Sequence, residues 1–346
     1  MRPGAFQRLV PPWESVRQEG LEAPVTEGSL RRLRVSPLGI PWLALHDQIV
    51  PGRQFRDVQQ SGPFRSWAHC HRFEPQSEGS LLVDDIDFRL PLEPFSRVAS
   101  PMLRAQFRRM FLWRHWSTGW DLQLQTRFSA SPLRILVSGA SGLIGRNLVS
   151  FLRTAGHQVF CLVRRAPVGP DEIAWNPLQV NPSPEMEGFD AVFHLAGRGL
   201  LSGTFTARHR QDVYQSRVRG TANLAHSLAA LKAPPQVFVS ASGVGYYGQS
   251  SRSVSSEESP RGDDFLAELC LAWEKASQAL SLSGSRCVQL RLGPVLTLES
   301  GILPPAYWAT LFGPNWHLGD GQQALNWVSL IDVMGVCNSL LHCPDC

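Results

Sequence analysis

The apolar and polar positions of this 346-residue chain follow two regimes that meet near residue 130. Before it, short runs alternate apolar and polar residues between turn residues: Leu30–Val35, Trp42–Ile49, Trp67–Phe73 and Leu81–Leu90. A period of two predicts antiparallel strands with one buried face. From about Pro101 to Gln125 the period becomes helical, with Leu103, Phe107, Met110, Phe111, Arg114 and Trp116 near one face. Several strands followed by one long helix predict an α+β domain over residues 1–127. Residues 128–133 read as a linker. From Arg134 strand-like and helix-like segments alternate, with strands over 134–138, 158–163, 190–195, 236–240 and 286–292 and helices over 143–155, 206–231, 262–282 and 330–342. That alternation predicts an α/β domain over 134–346, a Rossmann-like, doubly wound parallel sheet with helices on both faces.

The junction of the first strand and helix carries the chemistry. Ile135, Leu136 and Val137 run into Gly139, Gly142 and Gly145, and an apolar-periodic helix follows. Strand, glycine turn and helix N-terminus in that order predict a dinucleotide phosphate site. Glycines let the backbone approach the pyrophosphate, and the N–H groups at the helix start hold the anion. Gly139, Ser141, Gly142, Leu143, Ile144 and Gly145 are therefore candidate cofactor residues, joined by Leu195, Ala196 and Gly197 after the strand that ends at His194. His194 itself reads as a buried, hydrogen-bonded residue rather than a catalytic one. The second strand ends in Arg164-Arg165, with no acidic residue beside them in sequence. An acidic residue there serves the ribose hydroxyl of NAD, whereas arginine suits the 2′-phosphate of NADP. NADP(H) is the expected cofactor.

The second half resembles the extended short-chain dehydrogenases/reductases and, more narrowly, the YfcH-type epimerase family. The resemblance rests on Ser138-Gly-Ala-Ser-Gly-Leu-Ile-Gly145, His194-Leu-Ala-Gly197, Ser216-Arg217, Val239-Ser-Ala-Ser-Gly-Val-Gly-Tyr-Tyr-Gly248, Leu269-Cys-Leu-Ala-Trp-Glu274 and Arg291-Leu-Gly-Pro-Val295. The first half resembles the polyketide-cyclase/START-like helix-grip superfamily, on Pro11-Pro12-Trp13-Glu14, Gly62 to Phe73 and Arg109 to His115. That likeness implies a curved sheet around a long helix and an apolar cavity. Against both families the chain is expected to be truncated: a first strand in front, and substrate-side segments behind Cys346.

The family's catalytic pattern is a Ser/Thr with Tyr-x-x-x-Lys. This chain has two lysines, Lys232 and Lys275, and neither follows a tyrosine at that spacing. The resemblance puts Leu266 and Cys270 in the tyrosine and lysine positions, on one helix face. Lys275, five residues past Cys270, cannot replace a lysine there. Ser242 is the candidate triad serine, and Tyr246 or Tyr247 the candidate proton donor; both tyrosines also fit a pocket lining. Cys270 reads as an inert buried thiol. The resemblance implies hydride transfer at an oxygen-bearing carbon of a small molecule, with weak or no turnover. Two alternatives are a non-catalytic cofactor sensor or interaction protein, some relatives being linked with cell or plastid division, and a hydrophobic-ligand binder acting through the first domain.

Composition narrows the classes. A net charge of +4 is too small to argue for nucleic acid. No window reaches the length of a membrane span, and the N-terminus has no apolar signal core. Seven scattered cysteines fit free thiols in a reducing compartment, so a cytoplasmic location is expected, or an organelle stroma or matrix if a transit peptide is lost. His69 and His71 share a strand face, and Cys343-x-x-Cys346 follows His342. Neither has a second ligand pair at zinc-like spacing, so no metal site is expected. The helix arginines Arg104, Arg108, Arg109 and Arg114 read as a solvated face.

Overall fold

Trp67, His69 and His71 are buried while the residues between them are less so, the signature of a strand with one covered face. The computed structural model describes residues 2–20, 24–35, 38–128, 131–200, 202–203, 206–248, 254–313 and 324–343. The chain divides into two compact units, Met1–Leu122 and Gln123–Cys346. The first opens with a short helix, α1 (Ala5–Leu9), and continues as an antiparallel meander. Its strands are β1 (Val16–Glu19), β2 (Leu30–Val35), β3 (Ile40–Val50), β4 (Gln54–Ser61), β5 (Ser66–Gln76) and β6 (Gly79–Arg89), hydrogen-bonded in sequence order. β1 and β4 carry mixed polar residues without clean alternation, and sequence periodicity passes over both. The long helix is α2 (Ser100–Arg127).

Aromatic side chains join α2 to the covered sheet face. Phe107 meets Trp67 at 5.4 Å and Phe88 at 5.2 Å, and Phe111 meets the His69 ring at 5.3 Å. Arg8 of α1 donates two hydrogen bonds, at 2.8 and 2.6 Å, to the buried Asp121 of α2. Two expectations for α2 are corrected. Trp116 lies half exposed rather than on the packed face. Arg114 does not belong to the solvated face: it stacks 5.1 Å from the Phe111 ring and is turned toward Asp84 and Asp57, and burial lowers its pKa.

The second unit is a six-stranded parallel sheet. Its strands are β7 (Arg134–Ser138), β8 (Gln158–Val163), β9 (Glu172–Ala174), β10 (Ala191–His194), β11 (Val237–Gly243) and β12 (Arg286–Leu292), in spatial order β12-β11-β10-β7-β8-β9. The chain builds outward on one side of β7 and then returns to build on the other, so the order reverses between β7 and β10. Both faces of the centre are buried, which explains the unbroken apolar runs. Ile135, Val137 and Phe193 point into a layer with Leu148, Phe151 and Leu152 of α3 (Leu143–Ala155) and with Val333, Met334 and Cys337 of α8 (Leu330–His342). Leu136, Val192 and Phe238 point the other way, onto Leu224 and Leu228 of α4 (Ala207–Ala229). Each such side chain contributes about 1.5–3 kcal/mol by burial. The helix expected over 262–282 is two, α5 (Phe265–Lys275) and α6 (Gln278–Ser281). A two-residue parallel pair, β13 (Val295–Leu296) with β14 (Val328–Ser329), and helix α7 (Leu303–Phe312) complete the unit. Among the described residues no helix is long and apolar enough to cross a membrane.

One polar chain runs through this apolar interior. His194 is fully buried; its Nδ1 lies 2.6 Å from Ser138 Oγ and its Nε2 3.0 Å from Thr221 Oγ1. Trp273 Nε1 donates to the same Thr221 oxygen at 2.9 Å. Burial lowers the His194 pKa from 6.5 to about 4, so the ring is neutral, donating at one end and accepting at the other. Between those values the unfolded chain binds a proton that the folded chain does not. The stability this ring confers is complete above pH 6.5 and falls as pH drops toward 4, by on the order of 3 kcal/mol. Denaturant unfolding at a series of pH values is expected to show that loss in the native chain. His194→Gln, which cannot titrate, is expected to show a shallower slope over the same window, and an unchanged slope would refute the assignment.

Candidate functional site

β7 delivers the chain to the point where strand order reverses. Gly139 turns there with φ of +72°, a conformation that favours glycine. A Cβ on it would lie 2.7 Å from Ala196 N and Leu195 C, so the loop is pressed against the chain leaving β10. Gly145 sits in the first turn of α3, where a Cβ would strike the Gly139 carbonyl. Gly142 differs: a Cβ there would meet only the Gly139 oxygen, at 3.2 Å. Ser141 and Gly142 are exposed, and Leu143 and Ile144 pack their side chains on the core. Gly142 is the N-cap of α3, in extended backbone, and no side chain caps the helix. The structure thus presses the loop carrying Gly139, Ser141, Gly142, Leu143, Ile144 and Gly145 against the chain at Leu195 and Ala196, with Gly197 next along it.

The two arginines after β8 are not equivalent. Arg165 forks onto the Glu172 carboxylate at 2.8 and 2.5 Å. Glu172 starts β9, seven residues on, and strand pairing brings it to the strand end where the sequence shows no acid nearby. The Arg165 hydrogen bonds and the Val168 N–H hold its carboxyl down at about 2. Arg164 is exposed and, among the described residues, makes no ion pair.

A second cluster lies at the ends of β11 and β12. Ser242, buried at the end of β11, donates to Glu274 Oε1 at 2.7 Å. Arg291, directly opposite Ser242 in register, holds the same carboxylate through Nε at 2.8 Å and Nη2 at 2.9 Å. Its Nη1 donates to the Tyr247 hydroxyl at 2.8 Å, and its guanidinium carbon lies 3.6 Å from the Tyr246 ring centroid. Tyr246 and Tyr247 sit in the 3-10 turn Val244–Tyr247 that leaves β11. The carboxylate raises the Arg291 pKa further, so the group is a permanent cation.

Leu266 and Cys270 share a face of α5 turned to that loop. A Cβ at Gly245 would lie 3.1 Å from Leu266 Cβ, and one at Gly243 would lie 3.6 Å from Cys270 Sγ. One turn further, Glu274 occupies the same face. Glu274 is not among the residues the sequence singles out for chemistry, although the i, i+4, i+8 spacing from Leu266 points to it. Arg217 of α4, whose guanidinium lies 5.0 Å from the Trp273 ring, acts on Cys270 electrostatically and favours the thiolate. Burial nonetheless dominates and raises the thiol pKa, so the group remains an inert thiol. His194 is the buried, satisfied residue expected. His342 and Cys343 are described, whereas the Cys346 half of the C-x-x-C lies outside the described residues.

The NAD dependent epimerase/dehydratase family matches residues 135–267, and a domain of unknown function, DUF8410, matches 9–118. An epimerase family protein of Mycobacterium tuberculosis is 36% identical over 199 residues, 57% of this chain; the chain spans 65% of that relative's length. The human epimerase family protein SDR39U1 is 32% identical over 213 residues, 61% of this chain and 71% of the relative. Its solved structure with NADPH superimposes with a TM-score of 0.56 at 31% identity, over 61% of this chain and 70% of the other. A crystal structure described as a nucleoside-diphosphate sugar epimerase of Corynebacterium glutamicum covers all of this chain, and 72% of its own length is matched, with a TM-score of 0.86 and 31% identity. With its parallel sheet, glycine loop and these matches, the chain belongs to the SDR39U1-type branch of the NAD dependent epimerase/dehydratase family.

Proposed function

We propose that the chain binds a nicotinamide dinucleotide in the crevice between Gly139–Gly145 and Leu195–Gly197, NADP(H) in preference to NAD(H), and acts on a small hydroxyl- or carbonyl-bearing molecule with weak turnover. The uncapped N-terminus of α3 carries this reading. A 13-residue helix begins there with no side chain on its first N–H groups, and Gly142 leaves the approach open. The human relative solved with NADPH supports it. Arg164 is the arginine left to meet a 2′-phosphate, because Arg165 is engaged by Glu172.

A nicotinamide held there would supply hydride exchange at an oxygen-bearing carbon. The chain's own part is to manage the proton on that oxygen. Ser242 spends its hydrogen on Glu274 and offers only lone pairs. Tyr247 accepts from Arg291 and keeps its own proton to donate, and the adjacent guanidinium offsets the charge left on the phenol. Leu266 and Cys270, where the resemblance puts tyrosine and lysine, supply neither a proton nor a cation. That observation favours a second reading, a cofactor-binding protein without turnover. The first unit we read as a helix-grip domain, on its six-stranded antiparallel sheet and 28-residue helix.

Thermal shift with each cofactor tests the binding. NADPH at 100 times its Kd is expected to stabilise the second unit by about 2.7 kcal/mol. Arg164→Ala is expected to erase about tenfold of the preference for NADPH over NADH, about 1.4 kcal/mol, and Arg165→Ala less. Equal affinity for both cofactors in the native chain would sink the preference.

The loop glycines separate binding from folding. Gly142→Val is expected to leave the melting temperature without ligand nearly unchanged and to abolish the NADPH shift. Gly145→Ala, whose methyl would strike backbone, is expected to destabilise the unit by about 1–3 kcal/mol. A Gly142→Val chain that still binds NADPH would move the phosphate site elsewhere.

Turnover is tested by NADPH oxidation against a panel of ketones and sugars. Slow oxidation is expected at most, lost in Tyr247→Phe. Robust oxidation that survives both Tyr247→Phe and Ser242→Ala would place the proton donor outside this loop.

A further inference from the structure

The covered face of the first unit's sheet holds a cluster that the dinucleotide site does not use. Asp57 on β4 lies directly opposite His69 on β5, and His71, two residues on, lies opposite Asp84 on β6. Both rings therefore sit between the same two carboxylates. Asp84 Oδ1 lies 3.0 Å from His69 Nε2 and 2.7 Å from His71 Nδ1. Asp57 Oδ2 lies 3.1 Å from the other nitrogen of His69, Nδ1, and 3.5 Å from the other nitrogen of His71, Nε2. The remaining carboxylate oxygens are held from outside: Trp67 Nε1 donates to Asp57 Oδ1 at 3.1 Å, and His115 Nε2 lies 2.8 Å from Asp84 Oδ2.

Four ring nitrogens thus face carboxylate oxygens, and two neutral imidazoles carry only two N–H groups. If those protons point to Asp84, the lone pairs of His69 Nδ1 and His71 Nε2 converge with Asp57 Oδ2. Asp57, His69 and His71 can each offer one ligand atom within 4.8 Å of the other two. A tetrahedral zinc with bonds of about 2.0–2.1 Å has ligand-to-ligand edges of about 3.3 Å, and the two edges to Asp57 measure 3.1 and 3.5 Å. Asp84 then takes the part of the carboxylate that fixes ring orientation behind metal-bound histidines. The dication balances the two carboxylates in place of two protons. Asp57 is the most exposed member, at 18% of its side chain against 4–9% for the others, so an ion enters from its side.

We propose that Asp57, His69 and His71 form a binding site for a divalent transition cation of the zinc class, oriented by Asp84. Two histidines and one carboxylate leave a fourth position for water or a small ligand. Sequence spacing hides the set, because Asp57 and Asp84 come from neighbouring strands.

Zinc titration of the full chain tests this, with Cys343→Ser and Cys346→Ser included so that the C-x-x-C cannot compete. After dialysis against a chelator, one zinc per chain is expected to bind and to raise the melting temperature. Asp57→Asn and His71→Gln are each expected to weaken binding at least about 100-fold, and Asp84→Asn about 10–100-fold. Cobalt in place of zinc is expected to give the intense visible bands of a four-coordinate ion. Absence of binding at about 100 μM zinc, or binding unchanged by Asp57→Asn and His71→Gln, overturns the proposal and leaves a cluster of imidazolium–carboxylate pairs. Should those variants fail to fold, the cobalt spectrum of the parent decides, and lack of four-coordinate bands overturns it equally.

Discussion

A neutral imidazole in a dry interior holds the second unit's geometry together. His194 joins Ser138 at the end of β7 to Thr221 on α4, and Thr221 also takes the Trp273 indole of α5. Four elements that shape the crevice therefore share one hydrogen-bonded chain. Ser138 immediately precedes Gly139, so the same chain fixes where the glycine turn begins. Trp273 immediately precedes Glu274, so it also fixes the helix face that meets Ser242. Loss of the ring leaves the buried Ser138 hydroxyl seeking a partner, worth about 1–3 kcal/mol if orphaned, while Thr221 keeps the Trp273 indole.

That placement sets the corner where Ser242, Glu274, Arg291 and Tyr247 meet. In the pattern the family resemblance implies, lysine supplies the cation next to the reactive phenol. Here the cation comes from β12, as Arg291, and Glu274 fixes it from below. A guanidinium forked on a carboxylate is geometrically fixed in a way an ammonium is not. The corner therefore ties a serine and a cation to one carboxylate, and that cation to a phenol; the three come from β11, β12 and the turn after β11, and only the carboxylate comes from α5.

The parallel sheet was legible because its pattern is local. Strands β7, β8 and β12 match their expected spans residue for residue: β7 and β8 carry short, unbroken apolar runs, and β12 alternates Val288, Leu290 and Leu292 with Gln289 and Arg291. The glycine spacing was legible for the same reason. What escaped is what strand pairing assembles. Glu172 reaches Arg165 only because β9 pairs with β8. Arg291 reaches Ser242 only because β12 pairs with β11, 49 positions later in the chain. Arg114 falls at a helical period with the apolar face, yet its charge alone suggests a solvated position; the half-buried carboxylates Asp57 and Asp84 that draw it inward lie on strands distant in sequence.

The first unit shows the converse economy. Its buried hydrophobic residues among the described residues are Ala44, Trp67 and Leu90, whereas the second unit buries dozens of positions around its sheet. At the same depth the first unit places His46, His69 and His71 with Asp121. Taking a carboxylate out of water costs several kcal/mol unless it is paired and hydrogen-bonded, and here Asp57 and Asp84 each have every oxygen occupied. A domain with so few apolar anchors draws its uniqueness from polar geometry, which fixes strand register more tightly than interchangeable aliphatic packing does. His69 and His71 can face both carboxylates only if β4, β5 and β6 pair in one register; a slip of one residue would turn both rings to the opposite face. The cluster is thus part of the reason this sheet has a single arrangement.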